Sequence, residues 1–325
     1  MSKTDIDFLV CHYGEHAPFD SGIMYVSFSV NTNTFLVRQE IKVDGKINFI
    51  LSDKGKIYAP VQQRNRTGIL VYEWMAGRLE EKDFIDTGLF YSYGVIRSGR
   101  GYFASFSSGA DGVVDLREKK EKEVFKHDRG LSGRSHYINF LSSGYLYSVE
   151  NELNKVYILA EEKERLKVVD SIDFNEDNPR LMPLHPKAPF AYLLTERSNR
   201  IIVYHAEQSR LSEIQNIKVP GAEVDKDFCG GIAVNGTGTC LCISIRGKNE
   251  IVLYKIMDDG RLMFLDAAAC GKMPRDLLIK DEYVFVTCTD SDQIEVFKIS
   301  GGQLKDLDTA LAVRSPITFS VGGNI

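Results

Sequence analysis

Tryptophan, proline and long apolar runs are scarce in this 325-residue chain, which has one tryptophan and nine prolines. No stretch is Pro/Ser-rich enough to read as a linker, so nothing divides the chain into domains. No apolar run approaches the roughly 20 residues that span a bilayer. The opening MSKTDIDFLV is too briefly apolar for a secretory signal. Membrane attachment is therefore not expected, and the expected location is cytoplasmic. Forty basic against 45 acidic side chains give a net charge of −5, which argues against a nucleic-acid-binding stripe. The six cysteines stand at 11, 229, 240, 242, 270 and 288, without zinc-type spacing. Cys240 and Cys242 share one strand face but have no further ligand nearby in sequence. The cysteines read as reduced thiols in apolar strands, and neither a metal nor another cofactor is expected. Signatures of the nucleophile-elbow, phosphate-loop and zinc-protease kinds are missing as well.

What is there is a repeat. Apolar strand patterns begin at residues 22, 68, 112, 155, 200, 250 and 293, so successive starts lie 43 to 50 residues apart. A period of this length marks an array of supersecondary units, each unable to bury its faces alone. A second apolar run lies about ten residues before each of these, across a polar link with Gly, Asn or Asp, as a hairpin requires. A third run precedes that pair, and a fourth, outer strand follows in most repeats, for example at 34–41, 166–172 and 262–268. The charged run 118–123 reads as a solvated hairpin turn. Four antiparallel strands repeated radially make a β-propeller blade. The first repeat lacks an inner strand, and the segment 316–322 is an inner strand without a second. The reading is thus all-β: one seven-bladed β-propeller over residues 1–325, its ring closed by strand 316–322 pairing with strand 7–14. Closure removes the open sheet edges that invite aggregation.

Propeller geometry then nominates a rim. Inner and second strands run antiparallel, so the start of one and the end of the other lie at the same face. Reading those positions yields His136, Arg180, Glu196, Arg246 and Arg275 on four adjacent blades. Glu150 ends a second strand in blade 4, His12 in blade 1 and Arg64 in blade 2. Arginines present a fixed fork of donors suited to carboxylate or phosphate. A histidine or glutamate beside them can move a proton. Each residue also has a plainer reading. His136 could cap a strand, Arg180 and Arg275 could brace Pro-Arg corners, Glu196 could pair with Arg197, and Arg246 occupies a turn. Only their convergence favours a site.

Three stretches carry a family resemblance: NPRLMPLHPKAPFAYLLTERSNRIIVY (178–204), GGIAVNGTGTCLCISIRGKNEIVLYKI (230–256) and GKMPRDLLIKDEYVFVTCTDSDQIEVFKI (271–299). With SHYINF (135–140), they resemble the lactonase family of seven-bladed propellers. That family includes bacterial 6-phosphogluconolactonases and fungal carboxymuconate-cyclising enzymes. The resemblance implies catalytic roles for His136, Glu196, Arg180 and Arg246; the rim positions add Arg275, Glu150, His12 and Arg64 as substrate-binding candidates. It implies hydrolysis of a small anionic lactone, with His136 or Glu196 activating water and an arginine stabilising the oxyanion. The same residues would serve muconate-type ring closure, and a non-catalytic propeller binding a ligand or protein on its rim is the alternative from another class. The sequence departs from the family pattern at Leu181 (usually His), Thr195 and Ile245 (usually Asn) and Asp276.

Overall fold

A computed structural model describes residues 5–14, 19–127 and 133–321. These residues form seven antiparallel sheets, six of four strands and one of five. The strand at Pro316–Ser320 pairs with Ile6–Tyr13, placing Val10 opposite Phe319 and Cys11 opposite Thr318. The first blade is therefore completed by the end of the chain, and the ring is closed. Gly322, the last residue of the expected closing strand, lies outside the described residues. The five-stranded sheet is blade 2. Its inner strand is broken into Lys46–Ile47 and Leu51–Asp53, both paired with Lys56–Gln62.

The charged run 118–123 is the expected turn only in part. The hairpin turn is 116–119, so Glu118 and Lys119 lie in it, while Lys120–Lys126 is the outer strand of blade 3. An outer strand has one face in water, so a run of charges is compatible with it. Among the described residues no helix is long and apolar enough to cross a membrane.

Burial explains why the strands read as they do. The apolar core falls into seven clusters, each drawing on two neighbouring blades. One joins Leu9 and Ile23 of blade 1 to Leu70 and Tyr72 of blade 2, and another joins Leu278 and Phe285 of blade 7 to Phe8 and Phe28 of blade 1. A middle strand packs against a blade on each face, so both faces must be apolar. Cys240–Ile245 and Tyr283–Cys288 are buried at every position. Outer strands such as Arg165–Asp173 are mostly exposed. Trp74 packs edge-on against Tyr25 across the seam between blades 2 and 1, with ring centroids 5.0 Å apart.

One polar device recurs and sets up the rim. Asn154, Asn199, Asn249 and Asp292 each sit at positive φ in the hairpin before a third strand. Asn and Asp tolerate this conformation better than other non-glycine residues. Each side-chain Oδ1 accepts a backbone N–H from the segment entering the next blade. The donors are Asn178 (2.8 Å), Cys229 (3.0 Å), Met273 (3.0 Å) and Ser315 (2.8 Å). Every one of these donors lies at or just before the start of an inner strand.

Candidate active site

Inner strands deliver side chains to the channel through bulges. In blades 1, 4, 5, 6 and 7 the pairing of the inner with the second strand slips near the inner strand's start. The slips fall at Ile317, His136, Arg180, residues 230–231, and Arg275 with Asp276. A bulged residue leaves the ladder, and its side chain is re-aimed. All of these except the glycines line a cavity of about 460 Å³ at the channel mouth, with Glu196, Arg246, Tyr93, Tyr137, Phe49 and Phe106 among its other walls. Gly230 and Gly231 are glycine for a steric reason. A Cβ at Gly230 would lie 2.7 Å from the Pro274 carbonyl, and one at Gly231 would lie 2.9 Å from Cα of Asp276.

The polar half of the cavity is one connected network. Arg180 donates from Nη1 to Glu196 Oε2 at 3.1 Å and to His136 Nε2 at 2.7 Å, and from Nε to the Gly230 carbonyl at 2.9 Å. Arg246 Nη2 donates to Glu196 Oε1 at 2.5 Å and to the Cys229 carbonyl at 3.1 Å. Asn151 adds a 3.3 Å donation to Glu196 Oε2. Burial alone would raise the Glu196 carboxyl, but the guanidiniums of Arg180 and Arg246 outweigh it and hold the pKa at about 2. Burial, reinforced by Arg180, pushes His136 well below the usual histidine range, so it is neutral. Arg180 is lowered to about 10, chiefly by burial, and stays cationic at neutral pH. Arg275 has neither hydrogen bond nor ion pair within the described residues, yet it faces the cavity.

Asp276 is the residue that sequence reasoning passed over, as a mere departure from a family pattern. It lines the same cavity, and its Oδ2 accepts the Phe319 amide at 2.9 Å. Burial raises its carboxyl pKa, against the hydrogen bonds from Phe319 and Thr318. The available signal was its place directly after Pro274-Arg275, at an inner-strand start.

The opposite half of the cavity is aromatic. Phe49, Tyr93 and Tyr137 stack across blades 2, 3 and 4 with centroids 5.5 and 4.2 Å apart, and Phe106 meets the His136 ring edge-on at 5.4 Å. A larger recess of about 960 Å³ opens between blades 6 and 7, beside the hairpins at the far ends of their inner strands. None of the nominated site residues lines it.

Thus His136, Arg180, Glu196, Arg246 and Arg275 share one cavity, whereas His12, Arg64 and Glu150 lie outside it. His12 is turned across the sheet toward Gly22 and Glu40 on the next two strands, with Nε2 3.7 Å from the Glu40 carboxylate. Arg64 is exposed in a loop. Glu150 is buried beside another network, in which Asp111 accepts from Ser135 (2.6 Å) and contacts His127 (2.7 Å). Strand alternation sends the His12 and Glu150 side chains away from the channel, and Arg64 lies beyond the end of its strand, Lys56–Gln62.

A family profile for the lactonase seven-bladed β-propellers matches residues 9–321. The chain belongs to that family. The 6-phosphogluconolactonase of Bacillus subtilis is 25% identical over 202 residues, which are 60% of this chain and 57% of that protein. An uncharacterised Staphylococcus saprophyticus protein is 26% identical over 50% of each chain. The chain thus matches only about half to three-fifths of the length of these curated relatives. Among solved structures, the periplasmic gluconolactonase of Pseudomonas aeruginosa superposes with a TM-score of 0.86 at 20% identity, covering 97% of this chain and 98% of that one. A Bacteroides uniformis protein provisionally assigned as a 6-phosphogluconolactonase gives 0.86 at 19%, covering 98% and 99%. At these identities the superpositions speak for the fold.

Proposed function

We propose that this protein hydrolyses a small anionic lactone in the channel-mouth cavity, in the manner of a 6-phosphogluconolactonase, and that it does so in the cytoplasm. The observation that carries this reading is the charge balance around Glu196. Two carboxylates, Glu196 and Asp276, face the three guanidiniums of Arg180, Arg246 and Arg275, leaving the site with an excess of positive charge that suits an anionic substrate. Arg275, which spends none of its side-chain donors on the described residues, would take the substrate's phosphate or carboxylate.

The two carboxylates divide the remaining work. Glu196, with a pKa of about 2, is a weak base and serves as the counter-ion that aims Arg180 and Arg246. Asp276, shifted the other way, accepts the proton of the attacking water. Two carboxyl groups whose environments push their acidities apart form a usual acid–base arrangement. N–H groups of Arg180 or Arg246 would stabilise the oxygen that becomes an oxyanion as the ring carbonyl is attacked. The acyl–oxygen bond then breaks, Asp276 returns its proton to the ring oxygen, which leaves as a hydroxyl, and the new carboxyl group loses its proton to solvent as the product departs.

The test is the rate of 6-phosphogluconolactone and gluconolactone opening above the spontaneous background, with Asp276→Asn and Glu196→Gln as paired variants. A rate that collapses in both variants while each stays folded supports the assignment. Full activity in Asp276→Asn sinks its role, and no rate with any anionic lactone sinks the function.

A further inference from the structure

We propose that Cys270, Cys288 and Glu295 bind a thiophilic divalent cation of the zinc class at the seam between blades 6 and 7. Cys270 directly follows the outer strand of blade 6, Leu262–Ala269. Cys288 ends the second strand of blade 7, and Glu295 lies on the third, Gln293–Ser300. Cys288 stands opposite Gln293 and Val286 opposite Glu295, so Cys288 and Glu295 are diagonal neighbours on one sheet face. Blade 6 brings the second sulfur to that face. The three ligand atoms all lie within 4.8 Å of one another.

Tetrahedral zinc with bonds of about 2.3 Å to sulfur and about 2.1 Å to oxygen needs ligand atoms roughly 3.5–3.8 Å apart. Binding therefore requires only a small contraction of the cluster. The carboxylate is already oriented, because Gly271 N–H donates to Oε2 at 3.0 Å and Gln293 Nε2 donates to Oε1 at 2.5 Å. Each oxygen keeps a lone pair for a metal. Gly271 is required where it stands, since a Cβ there would lie 2.9 Å from Cβ of Cys288 and from Glu295 Oε1. That close passage turns Cys270 toward its partner.

The choice of cation follows from the donors. Two sulfurs disfavour magnesium and calcium and favour zinc-like ions. Glu295 has no cationic partner among the described residues, so with two thiolates the cluster would carry three negative charges for a divalent ion to offset. Cys288 is buried, whereas Cys270 and Glu295 are half-buried, which leaves a fourth position open to water. The site is separate from the cavity, although Cys288 pairs with Pro274, the residue before Arg275.

The full-length protein, reduced and stripped with a chelator, would be titrated anaerobically with cobalt(II). We expect one equivalent per chain to produce sulfur-to-cobalt charge-transfer absorption, which zinc then displaces. Cys270→Ser and Cys288→Ser should abolish that absorption. Glu295→Gln should weaken binding by about tenfold or more, on the scale seen when groups supporting a metal site are removed. Cys240→Ser should leave it unchanged. Circular dichroism checks that each variant is folded; should Cys288→Ser fail, the half-exposed Cys270 and Glu295 variants carry the test. Absence of the sulfur–cobalt band in the reduced protein overturns the proposal. So does the same band in folded Cys270→Ser. A disulfide between these cysteines whose reduction still yields no metal uptake overturns it too.

Discussion

Arg180 donates from Nη1 to Nε2 of His136 at 2.7 Å, and this contact decides what the imidazole can do. A guanidinium has no acceptor, so Nε2 must hold a lone pair and the proton must reside on Nδ1. Nδ1 is buried without a partner among the described residues. The histidine thus positions Arg180 rather than moving a proton, because the atom that could accept one is engaged and the other is closed off. Replacing His136 with Ala should lower lactone-opening kcat far more than it raises KM. His136→Gln, whose side-chain oxygen can still accept from Arg180, should retain more thermal stability than His136→Ala. Steady-state kinetics and melting curves on both variants check this.

The acid stability of the fold should carry the mark of Glu196. Its pKa is depressed from 4.5 to about 2, worth about 3 kcal/mol at 1.36 kcal/mol per pH unit. That contribution is fully present above about pH 4.5 and is lost as pH falls toward 2. Glu196→Gln should therefore melt at a lower temperature than the parent at pH 7, and the gap should close on acidification. A constant gap would show that the clamp does not titrate as described.

Asp276 should behave in the opposite sense. Its folded pKa is raised, so ionisation costs stability as pH rises above the unfolded value of about 3.8. Asp276→Asn should raise the melting temperature at pH 7 and have little effect near pH 3, while lactone opening falls. A residue that lowers stability and supports activity is expected of a functional site. An unchanged melting temperature at pH 7 would refute the buried-carboxylate account.

Arg180 and Arg275 provide a contrast between two arginines of one cavity. Arg180 serves three acceptors and is buried, so Arg180→Ala should cost about 3–5 kcal/mol by stranding Glu196. Arg275 serves none within the described residues, so Arg275→Ala should leave the melting temperature within a degree or two. It should instead raise KM for a phosphorylated lactone more than for the unphosphorylated ring. Denaturant titration and a two-substrate comparison separate the effects.

Asn249 tests how the fold feeds the site. Its side chain holds the Met273 amide, two residues before Arg275, from a hairpin position with φ of 56°. Asn249→Ala loses that hydrogen bond and strains the turn, at a cost of about 1–2 kcal/mol. Chemical denaturation should register this loss, and Asn249→Gly should recover only the part that comes from the turn.

The ring was legible because its cause is local. A strand packed between two blades is apolar on both faces, and seven such strands leave a period that needs no tertiary information. Closure was legible for the same reason, since an inner strand read at 316–322 without a partner implies one. The rim positions of His136, Arg180, Glu196, Arg246 and Arg275 followed from strand direction alone. Their contacts did not. A bulge moves a side chain by one register step, and periodicity places that step no better than the end of a strand. This is why His12, Arg64 and Glu150 looked equivalent to the others and yet lie outside the cavity. Asp276 was hidden because its burial, and the hydrogen bonds from Phe319 and Thr318 that oppose the resulting rise in pKa, come from chain more than 40 residues away or from the packed ring. Cys270 and Cys288, likewise, meet only because two blades share a seam. Sequence by itself determined which residues stand near the channel, through repetition and burial. Tertiary structure decided which of them touch, because contact depends on bulges and blade seams that no local pattern encodes.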